Sequence, residues 1–384
     1  MDLANPSRSS SPFYPDPDTH PAWVEAVRQR LVSWYETAAR PLPWRETHDP
    51  YRILVSEMML VQTTVAAVIP FYARFLDRFP TVERLAEAEE SEVLKAWEGL
   101  GYYRRARQLH EAARAVVRDH GGTFPTDPAL IRALPGVGRY ITGALLSFAF
   151  DQPAPIVEAN TQRVLARWLA WESDLKTTAS QTRLWQAAER LVPDSGSGIF
   201  NQAFMELGAL VCVPRAPLCL ACPVASECQS RRLGLQDRLP VASPRAVPKE
   251  VAEACIVVAR DGRVLLVQRD KDRLWAHFWE FPTLHQGGHD PAGRSLGEPL
   301  DLAVGLQRLT GIVARVGPRS KTIRFGVTTH KVSLDIHPAE WEAGEPVPGP
   351  GLVRAAWVKP EEIATYTLGA ASRRVAADLL LPPK

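Results

Sequence analysis

The sequence predicts two folded regions in succession, a mainly α-helical region followed by a smaller α+β domain. From residue 21 to about residue 232, apolar residues recur every three or four positions and Pro or Gly clusters separate the runs, which indicates at least eight helices. Pro240, Pro244 and Pro248 then interrupt the chain before a region of β-rich runs. We predict a disordered tail over 1–20, a helical domain over 21–238, a linker over 239–250 and an α+β domain over 251–384.

The α+β prediction rests on short runs of β-forming residues. Residues 254–258 and 264–268 are separated by Asp261 and Gly262, a dipeptide that is a strong hairpin signal. Further strands are predicted at 321–327, 330–337 and 352–358, and a helix is predicted over 302–309.

Composition limits the class of protein. With 384 residues and 46% hydrophobic composition, the chain can bury two cores. No apolar run approaches the ~20 residues needed to cross a bilayer, and the first 20 residues lack the apolar core of a secretory signal. We expect a cytoplasmic monomer without membrane contact. A net charge of +2 neither requires nor excludes a nucleic-acid partner.

Four cysteines lie close together, with six, two and five residues between them. Since the chain is expected to be intracellular, disulfides are disfavoured, and the candidates are a zinc ion or an iron–sulfur cluster. The uneven spacing favours the cluster, with zinc as the alternative. Cys255, alone on a predicted strand, is interpreted as a small core residue. The predicted ligands are Cys212, Cys219, Cys222 and Cys228.

The stretch LPGVG at 134–138 lies between two predicted helices. Gly136 and Gly138 allow a tight turn that would present free N–H groups at a helix N-terminus, a geometry that binds phosphate without reading sequence. The alternative is an ordinary turn between helices.

Glu57 lies in an apolar helical stretch. Desolvation there would raise the pKa of its carboxyl group toward neutrality, as general acid catalysis requires. The alternative is a buried ion pair with an arginine such as Arg45 or Arg52. The residues three and four positions away are Ile53, Leu54, Leu60 and Val61.

The cysteine spacing and the hairpin resemble those of the endonuclease III and MutY group of helix-hairpin-helix DNA glycosylases. Across residues 41–228, further motifs resemble the MutY family of adenine glycosylases. These motifs are LPWR at 42–45, SEMML at 56–60, QT at 62–63, GLGYY at 99–103, RVLAR at 163–167, FNQ at 200–202 and ELGAL at 206–210.

The resemblance implies a six-helix module with an iron–sulfur module, a 4Fe–4S cluster in loop 212–228, and removal of adenine opposite 8-oxoguanine in duplex DNA. By the resemblance, Glu57 protonates N7 of adenine, Gln62 and Tyr102 wedge into the base stack, and Arg215 meets phosphates. Tyr140 stands where bifunctional relatives carry a lysine, so the strand should stay intact. The implied adenine pocket consists of Leu42, Trp44, Arg45, Val65 and Gln202.

Two stretches depart from the family pattern. Glu158, Ala159 and Asn160 replace an Asp-Gly-Asn stretch whose aspartate stabilises positive charge on the sugar. Glu158 keeps that charge with one more methylene, a displacement of about an ångström that could cost on the order of a hundredfold in rate. Asn160 could also serve as a helix N-cap. Val61 stands where the family usually has glutamine.

Residues 264–269 and 275–282 resemble the Nudix-like domain of the same family, which contacts 8-oxoguanine. By the resemblance, Thr329 and His330 recognise that base. The helix over 302–310 lacks the glutamates of a Nudix metal site, so nucleotide hydrolysis is not expected. Two other functions stay open, a bifunctional pyrimidine glycosylase-lyase and a non-catalytic DNA-binding iron–sulfur protein.

Overall fold

The computed structural model describes residues 20–242, 247–270, 276–286, 288–289, 295–296, 301–327 and 329–379. These residues form two compact units. The first contains residues 20–87 and 108–242, and the second contains Ala88–Arg107 and the described residues from 247 onward. The predicted tail, except residue 20, and the linker residues 243–246 lie outside the described residues, and the predicted domain boundaries stay predictions.

The helical prediction for residues 21–232 is confirmed. Twelve helices begin within that range in the described structure, and two more follow in the second unit. Helices α1 to α14 are Pro21–Ala38, Pro50–Leu60, Val65–Arg78, Val82–Glu87, Glu90–Ala96, Arg104–His120, Pro128–Ala133, Arg139–Phe150, Ala159–Trp168, Thr178–Leu191, Ser197–Leu210, Gln229–Arg232, Leu302–Thr310 and Ala370–Leu379.

The core of the first unit is built where α1, α9, α10 and α11 meet. Its centre is aromatic: the Trp168 and Phe204 rings are stacked with centroids 5.1 Å apart, and Trp23 meets Trp168 edge-on at 6.4 Å. Helix α11 also packs against α8, and α8 against α2. These contacts bring the starts of α8 and α9 close to the buried face of α2.

A glycine on α11 permits one of these close approaches. A Cβ atom on Gly208 would lie 2.7 Å from the Cβ atom of Asn160 on α9, closer than real side-chain carbons come. Only glycine therefore allows α9 to begin at this distance from α11. The packing fixes the position of the residues at the start of α9.

The second unit contains a mixed sheet of eight strands. The central order is β10-β2-β1-β9-β7, with β3 paired to β2, β4 to β1 and β8 to β9; β1 and β9 are parallel, and β5 and β6 form a separate antiparallel pair. Strands β1 to β10 are Lys249–Arg260, Arg263–Arg269, Trp279–Glu280, Thr283–His285, Gly288–His289, Ser295–Leu296, Val313–Val316, Lys321–Val327, His330–Ala343 and Leu352–Val358.

The hairpin predicted at Asp261 and Gly262 is confirmed. Arg260 pairs with Arg263, so the loop has two residues, and both have left-handed backbones with φ of 48° and 71°. This conformation matches the twist of the flanking strands and suits an Asp-Gly pair. The strands predicted after residue 320 and the helix predicted over 302–309 are also present, whereas part of the predicted stretch 275–282, residue 275, lies outside the described residues.

The sheet buries both faces. Cys255 and Leu266 face α14, whereas Ile256 and Leu265 face α13, because successive strand residues point to opposite sides. Cys255 is 2% exposed, which confirms that it belongs to the core. No helix in the described part of the chain is long and apolar enough to span a bilayer.

Candidate active site

A cavity of about 510 Å³ lies in the first unit, between α2, α8, α9 and α11. It gathers most of the residues that the sequence suggested for catalysis and adenine binding. These residues are Leu42, Trp44, Arg45, Glu57, Gln62, Val65, Gly136, Gly138, Tyr140, Glu158, Asn160 and Gln202.

Glu57 projects from α2 into the wall of this cavity and is 3% exposed. The helix begins after Asp49, whose carboxylate accepts the backbone N–H of Tyr51 at 2.9 Å. Burial raises the pKa of Glu57 to about 7, the Tyr140 hydroxyl opposes this rise, and the nearby Glu158 carboxylate adds to it. The raised pKa agrees with the sequence prediction.

Tyr140 is the hydrogen-bonding partner of Glu57. Its hydroxyl donates to Oε2 of Glu57 at 2.6 Å. Burial, with the two nearby carboxylates, raises the pKa of Tyr140 well above its ordinary value, so the phenol stays protonated and remains a donor. The alternative of an ion pair for Glu57 is wrong: among the described residues Glu57 has no ion pair, while Arg45 pairs with Glu206 at 2.8 Å and Arg52 with Asp49 at 3.5 Å.

The LPGVG stretch connects α7 to α8. Gly136 has φ of +74°, and a Cβ atom there would lie 2.6 Å from the Cβ atom of Gln108, so glycine is required both by the backbone and by the space. Gly138 precedes the first residue of α8. The first N–H groups of a helix have no partner inside it, so the turn offers donors that suit a phosphate.

Glu158 lies at the start of α9 and lines the cavity, but its carboxylate is already bonded. Oε2 accepts the N–H of Asn160 at 2.8 Å and Oε1 accepts the N–H of Thr161 at 2.9 Å, while the Thr161 hydroxyl accepts the N–H of Glu158. Burial raises the pKa of Glu158, and the two N–H donors oppose that rise by stabilising the anion.

The suggestion that Asn160 caps α9 is wrong, because Glu158 is the N-cap and Asn160 is the second residue inside the helix. The longer glutamate side chain reaches back over the two free N–H groups, which leaves the Asn160 side chain for another contact. Its Oδ1 accepts a hydrogen bond from Arg163 at 2.8 Å, and Arg163 also donates to the Cys212 carbonyl at 2.7 Å.

A network of buried ion pairs borders the cavity. Two of its members, Glu206 and Arg40, were not among the predicted site residues. Glu206 is fully buried and pairs with Arg40 at 2.6 Å and Arg45 at 2.8 Å. Despite burial, these hydrogen bonds lower the pKa of Glu206 to about 2. Nearby, Oε1 of Gln202 accepts the Tyr35 hydroxyl at 2.7 Å. The available signal was an acidic residue inside the apolar run FMELGAL at 204–210.

Two residues predicted to wedge into DNA have the same unusual backbone. Gln62 has φ of +58° and Tyr102 has φ of +50°, a left-handed conformation that non-glycine residues rarely adopt. Gln62 borders the cavity, whereas Tyr102 belongs to the second unit and is 49% exposed. Arg215, predicted to meet phosphate, is exposed in the first unit outside the cavity.

Thr329 and His330 lie at the start of β9 in the second unit. The Thr329 carbonyl accepts the N–H of Lys249 at 2.8 Å, and His330 pairs with Lys249 across the parallel β1 and β9 strands. Nε2 of His330 is buried and has no hydrogen-bond partner among the described residues.

The four clustered cysteines line one small pocket together with Arg167 and Arg231. Arg167 is 1% exposed and donates to the Cys212 sulfur at 3.2 Å and to the Val213 carbonyl at 2.8 Å. Within the described residues, no group of three or more His, Cys, Asp or Glu side chains is close enough to hold one metal ion.

Known structures support the fold of the first unit. A thermostable thymine-DNA glycosylase superposes with a TM-score of 0.52 at 33% sequence identity, covering 56% of this chain and all of that chain. The HhH-GPD superfamily of base excision DNA repair proteins matches residues 55–190, and the NUDIX domain family matches residues 253–378. The predicted fold class, a helix-hairpin-helix glycosylase region followed by a Nudix-like domain, is confirmed.

Sequence relatives extend over nearly the whole chain. The adenine DNA glycosylase of Homo sapiens is 34% identical over 415 residues, which cover 92% of this chain and 74% of the human protein. The adenine DNA glycosylase of Rattus norvegicus is 35% identical over 409 residues, which cover 92% of this chain and 77% of the rat protein. With both domains matched in order, the chain belongs to the adenine DNA glycosylase family of base excision repair enzymes.

Proposed function

We propose that the protein is a monofunctional hydrolase that removes adenine paired with 8-oxoguanine, or with guanine, from duplex DNA. One observation carries the proposal. The carboxyl group of Glu57, with a pKa of about 7, lines a cavity of about 510 Å³ in the unit that also contains the predicted phosphate-binding hairpin. A base must leave the duplex to enter such a cavity, as in other enzymes that act on bases.

Glu57 is the general acid. Near neutral pH a large fraction of its carboxyl groups carries a proton, and Tyr140 fixes one oxygen at 2.6 Å, which leaves the other free to face adenine. Transfer of that proton to N7 lets the bond between N9 and C1′ break with its electron pair, so the base leaves neutral. Water then adds at C1′, and its proton returns to the Glu57 carboxylate.

Glu158 is the electrostatic partner of this step. The departing base leaves positive charge on the sugar, and a carboxylate beside it lowers the barrier. The N–H groups of Asn160 and Thr161 keep both Glu158 oxygens oriented at the start of α9. Arg163 donates a hydrogen bond to the Asn160 side chain, so we interpret Asn160 as a residue that positions the Glu158 carboxylate.

Tyr140 supports monofunctional chemistry. Strand cleavage by the bifunctional route needs an amine that attacks C1′ and forms a Schiff base. A buried, protonated phenol whose hydroxyl is bonded to Glu57 cannot form that intermediate. A bifunctional glycosylase-lyase is therefore the weaker hypothesis, and the product should be an abasic site in an intact strand.

The remaining predicted residues bind the duplex. Gly136 and Gly138 would hold one phosphate by backbone N–H groups, and Arg215 another. Gln62 and Tyr102, both exposed, would each insert into the base stack. We further propose that the protein acts as a monomer in the cytoplasm, in association with the bacterial nucleoid.

Recognition of 8-oxoguanine is assigned to the Nudix-like unit. The side chains of His330 and the neighbouring Thr329 carry polar groups at the start of β9, and both residue types can form hydrogen bonds with the edge of a base. His330→Ala should reduce the preference for 8-oxoguanine over guanine opposite adenine. Measuring both rates side by side tests this, and an unchanged ratio would remove His330 from the site.

We also propose that Cys212, Cys219, Cys222 and Cys228 hold a 4Fe–4S cluster. The four cysteines line one pocket, and four thiolates are the ligand set of such a cluster. When bound, the cluster would stabilise the fold of loop 212–228. Iron and sulfide analysis of the purified protein tests this assignment. Zinc in place of iron would refute it, and Cys255→Ser is the control that should retain the metal.

A second candidate function is a DNA-binding protein without catalysis. The observation that favours it is that the Glu158 carboxylate is already engaged by two backbone N–H groups. One assay separates the hypotheses. Duplexes with adenine opposite 8-oxoguanine or guanine, or with an oxidised pyrimidine opposite guanine, are incubated with the protein and analysed with and without alkali.

For the proposed function we expect cleavage only after alkali and only for the adenine duplexes. Cleavage of the pyrimidine duplex without alkali would indicate a lyase. Binding without any cleavage would indicate the non-catalytic protein. Glu57→Gln is the matched negative control, since it keeps the size of the side chain and removes its exchangeable acid proton.

A further inference from the structure

We propose that Arg373, near the C-terminal end of the chain, positions Tyr102 for insertion into DNA. It would do so through an ion pair with Glu98 that holds the turn carrying Tyr102. The inference rests on the proposed function, which assigns Tyr102 to the base stack. It starts from an unexpected feature of the fold: Ala88–Arg107 belongs to the compact unit that contains the sheet, although the segment lies inside the helical part of the sequence.

The turn that presents Tyr102 is strained. Three of its residues have positive φ, namely Gly99 at 108°, Gly101 at 72° and Tyr102 at 50°. Glycine adopts this backbone freely, whereas tyrosine does so at a cost that the surrounding structure must offset. Inside the turn, the indole N–H of Trp97 donates to the Gly101 carbonyl at 3.1 Å, and Trp97 is fully buried.

Arg373 on α14 anchors the front of this turn. Its guanidinium bonds both carboxylate oxygens of Glu98 and also donates to the Tyr366 carbonyl at 2.6 Å. Lys95 joins the same group, with its ammonium 2.7 Å from the Ala364 carbonyl and 3.0 Å from the Glu98 carboxylate. The Arg373 and Glu98 side chains are 29% and 15% exposed, so solvent screens the pair only in part.

A second anchor lies directly after Tyr102. The Tyr103 ring packs against Phe278 with centroids 4.3 Å apart, and both residues are buried. Arg107 donates to the Ala276 carbonyl and pairs with Glu90 at 2.9 Å. The backbone on either side of Tyr102 is therefore fixed, while the Tyr102 side chain itself is half exposed.

This arrangement predisposes Tyr102 for stacking. A ring on a backbone that is already fixed loses less conformational freedom when it enters a base stack. If the Arg373 pair is removed, the turn can relax away from its left-handed backbone, and the ring must be ordered again on binding. The loss in affinity should then depend on the presence of the Tyr102 ring, which a general loss of stability would not require.

A double-mutant cycle tests this dependence. The affinity is measured by fluorescence anisotropy for a duplex with the tetrahydrofuran abasic analogue opposite 8-oxoguanine, which cannot be turned over. We expect Tyr102→Ala to weaken binding about tenfold, as loss of one base-aromatic stack does. Arg373→Gln should weaken it about fivefold in the native background and less than about twofold in the Tyr102→Ala background.

Equal losses from Arg373→Gln in both backgrounds would overturn the inference, as would an unchanged affinity of Tyr102→Ala. Arg374→Gln, an exposed arginine on the same helix, is the matched control and should retain native affinity. Glu98→Gln removes the same pair from the other side and must reproduce the result. Thermal melting first establishes whether Arg373→Gln folds. If it does not fold, Glu98→Gln decides the question. Adenine release by the native protein tests the proposed function separately.

Discussion

Replacing Tyr140 by phenylalanine tests how the acid is tuned. The Tyr140 hydroxyl donates to the Glu57 carboxyl at 2.6 Å and favours its charged form, so it holds the pKa below the value that burial alone would give. Hydrogen bonds to charged groups contribute about 1.5–3 kcal/mol, and one pKa unit corresponds to about 1.4 kcal/mol. Tyr140→Phe should therefore raise the pKa of Glu57 from about 7 by about one to two units.

The sign of the effect on rate follows from the role of the acid. Adenine release needs protonated Glu57, so the rate falls as pH rises through its pKa, and a higher pKa moves that decline to higher pH. Single-turnover release from an adenine:8-oxoguanine duplex, followed across pH, measures the shift. Tyr35→Phe is the control, because that hydroxyl bonds Gln202 rather than Glu57. A decline that stays in place or moves to lower pH in Tyr140→Phe would falsify the reasoning.

Three further predictions follow from the buried carboxylates. Because the pKa of Glu57 is raised in the folded state, this residue lowers the free energy of unfolding as pH rises from about 4.5 to about 7. Between pH 4.5 and pH 8, the free energy of unfolding of Glu57→Gln, measured with urea, should therefore increase by about 3 kcal/mol relative to that of the native protein. Glu158→Asp should keep or raise the rate of adenine release, since aspartate also caps helices, whereas Glu158→Ala should abolish it; normal release by the alanine variant contradicts the assignment. Glu206→Gln should lower the free energy of unfolding by about 2–3 kcal/mol. This is less than the ~3–5 kcal/mol for a fully buried pair, because Arg40 is one-third exposed. The surface variant Glu87→Gln is the control and should change the free energy of unfolding by less than about 0.5 kcal/mol.

Local patterns in the sequence were sufficient to predict the helices and five of the ten described strands, whereas most of the cavity residues were expected from the resemblance to the glycosylase family. The hairpin at Asp261 and Gly262 follows from turn chemistry that two residues determine by themselves. Burial raises the pKa of Glu57, and the apolar residues one turn away on its own helix indicated that burial. In both cases the determining neighbours lie within a few positions along the chain, where periodicity is informative.

Long-range partners could not be predicted in this way. The acceptor of the Tyr140 hydroxyl lies 83 residues away in sequence, and Arg40 and Glu206 are 166 residues apart. The packing of α8 against α2 brings Tyr140 to Glu57, and the packing of α11 against α1 brings Glu206 to Arg40. The predicted cap of α9, Asn160, is wrong because the Glu158 side chain is long enough to reach back over two N–H groups. The position of Glu158 in the sequence does not reveal this contact.

The assignment of Ala88–Arg107 to the second unit was missed for the same reason. Nothing in the segment signals that Glu98 meets Arg373, 275 residues later. Tyr102 is exposed, but an anchor of the turn that carries it lies at the far end of the chain.

The central claim is that Glu57 supplies the proton for release of adenine. Its most direct test is the amount of free adenine released from an adenine:8-oxoguanine duplex in one turnover, measured by chromatography for the native protein and Glu57→Gln. We expect release by the native protein and none above background by Glu57→Gln, although both bind the duplex with similar affinity. Release by Glu57→Gln at the native rate would contradict the account.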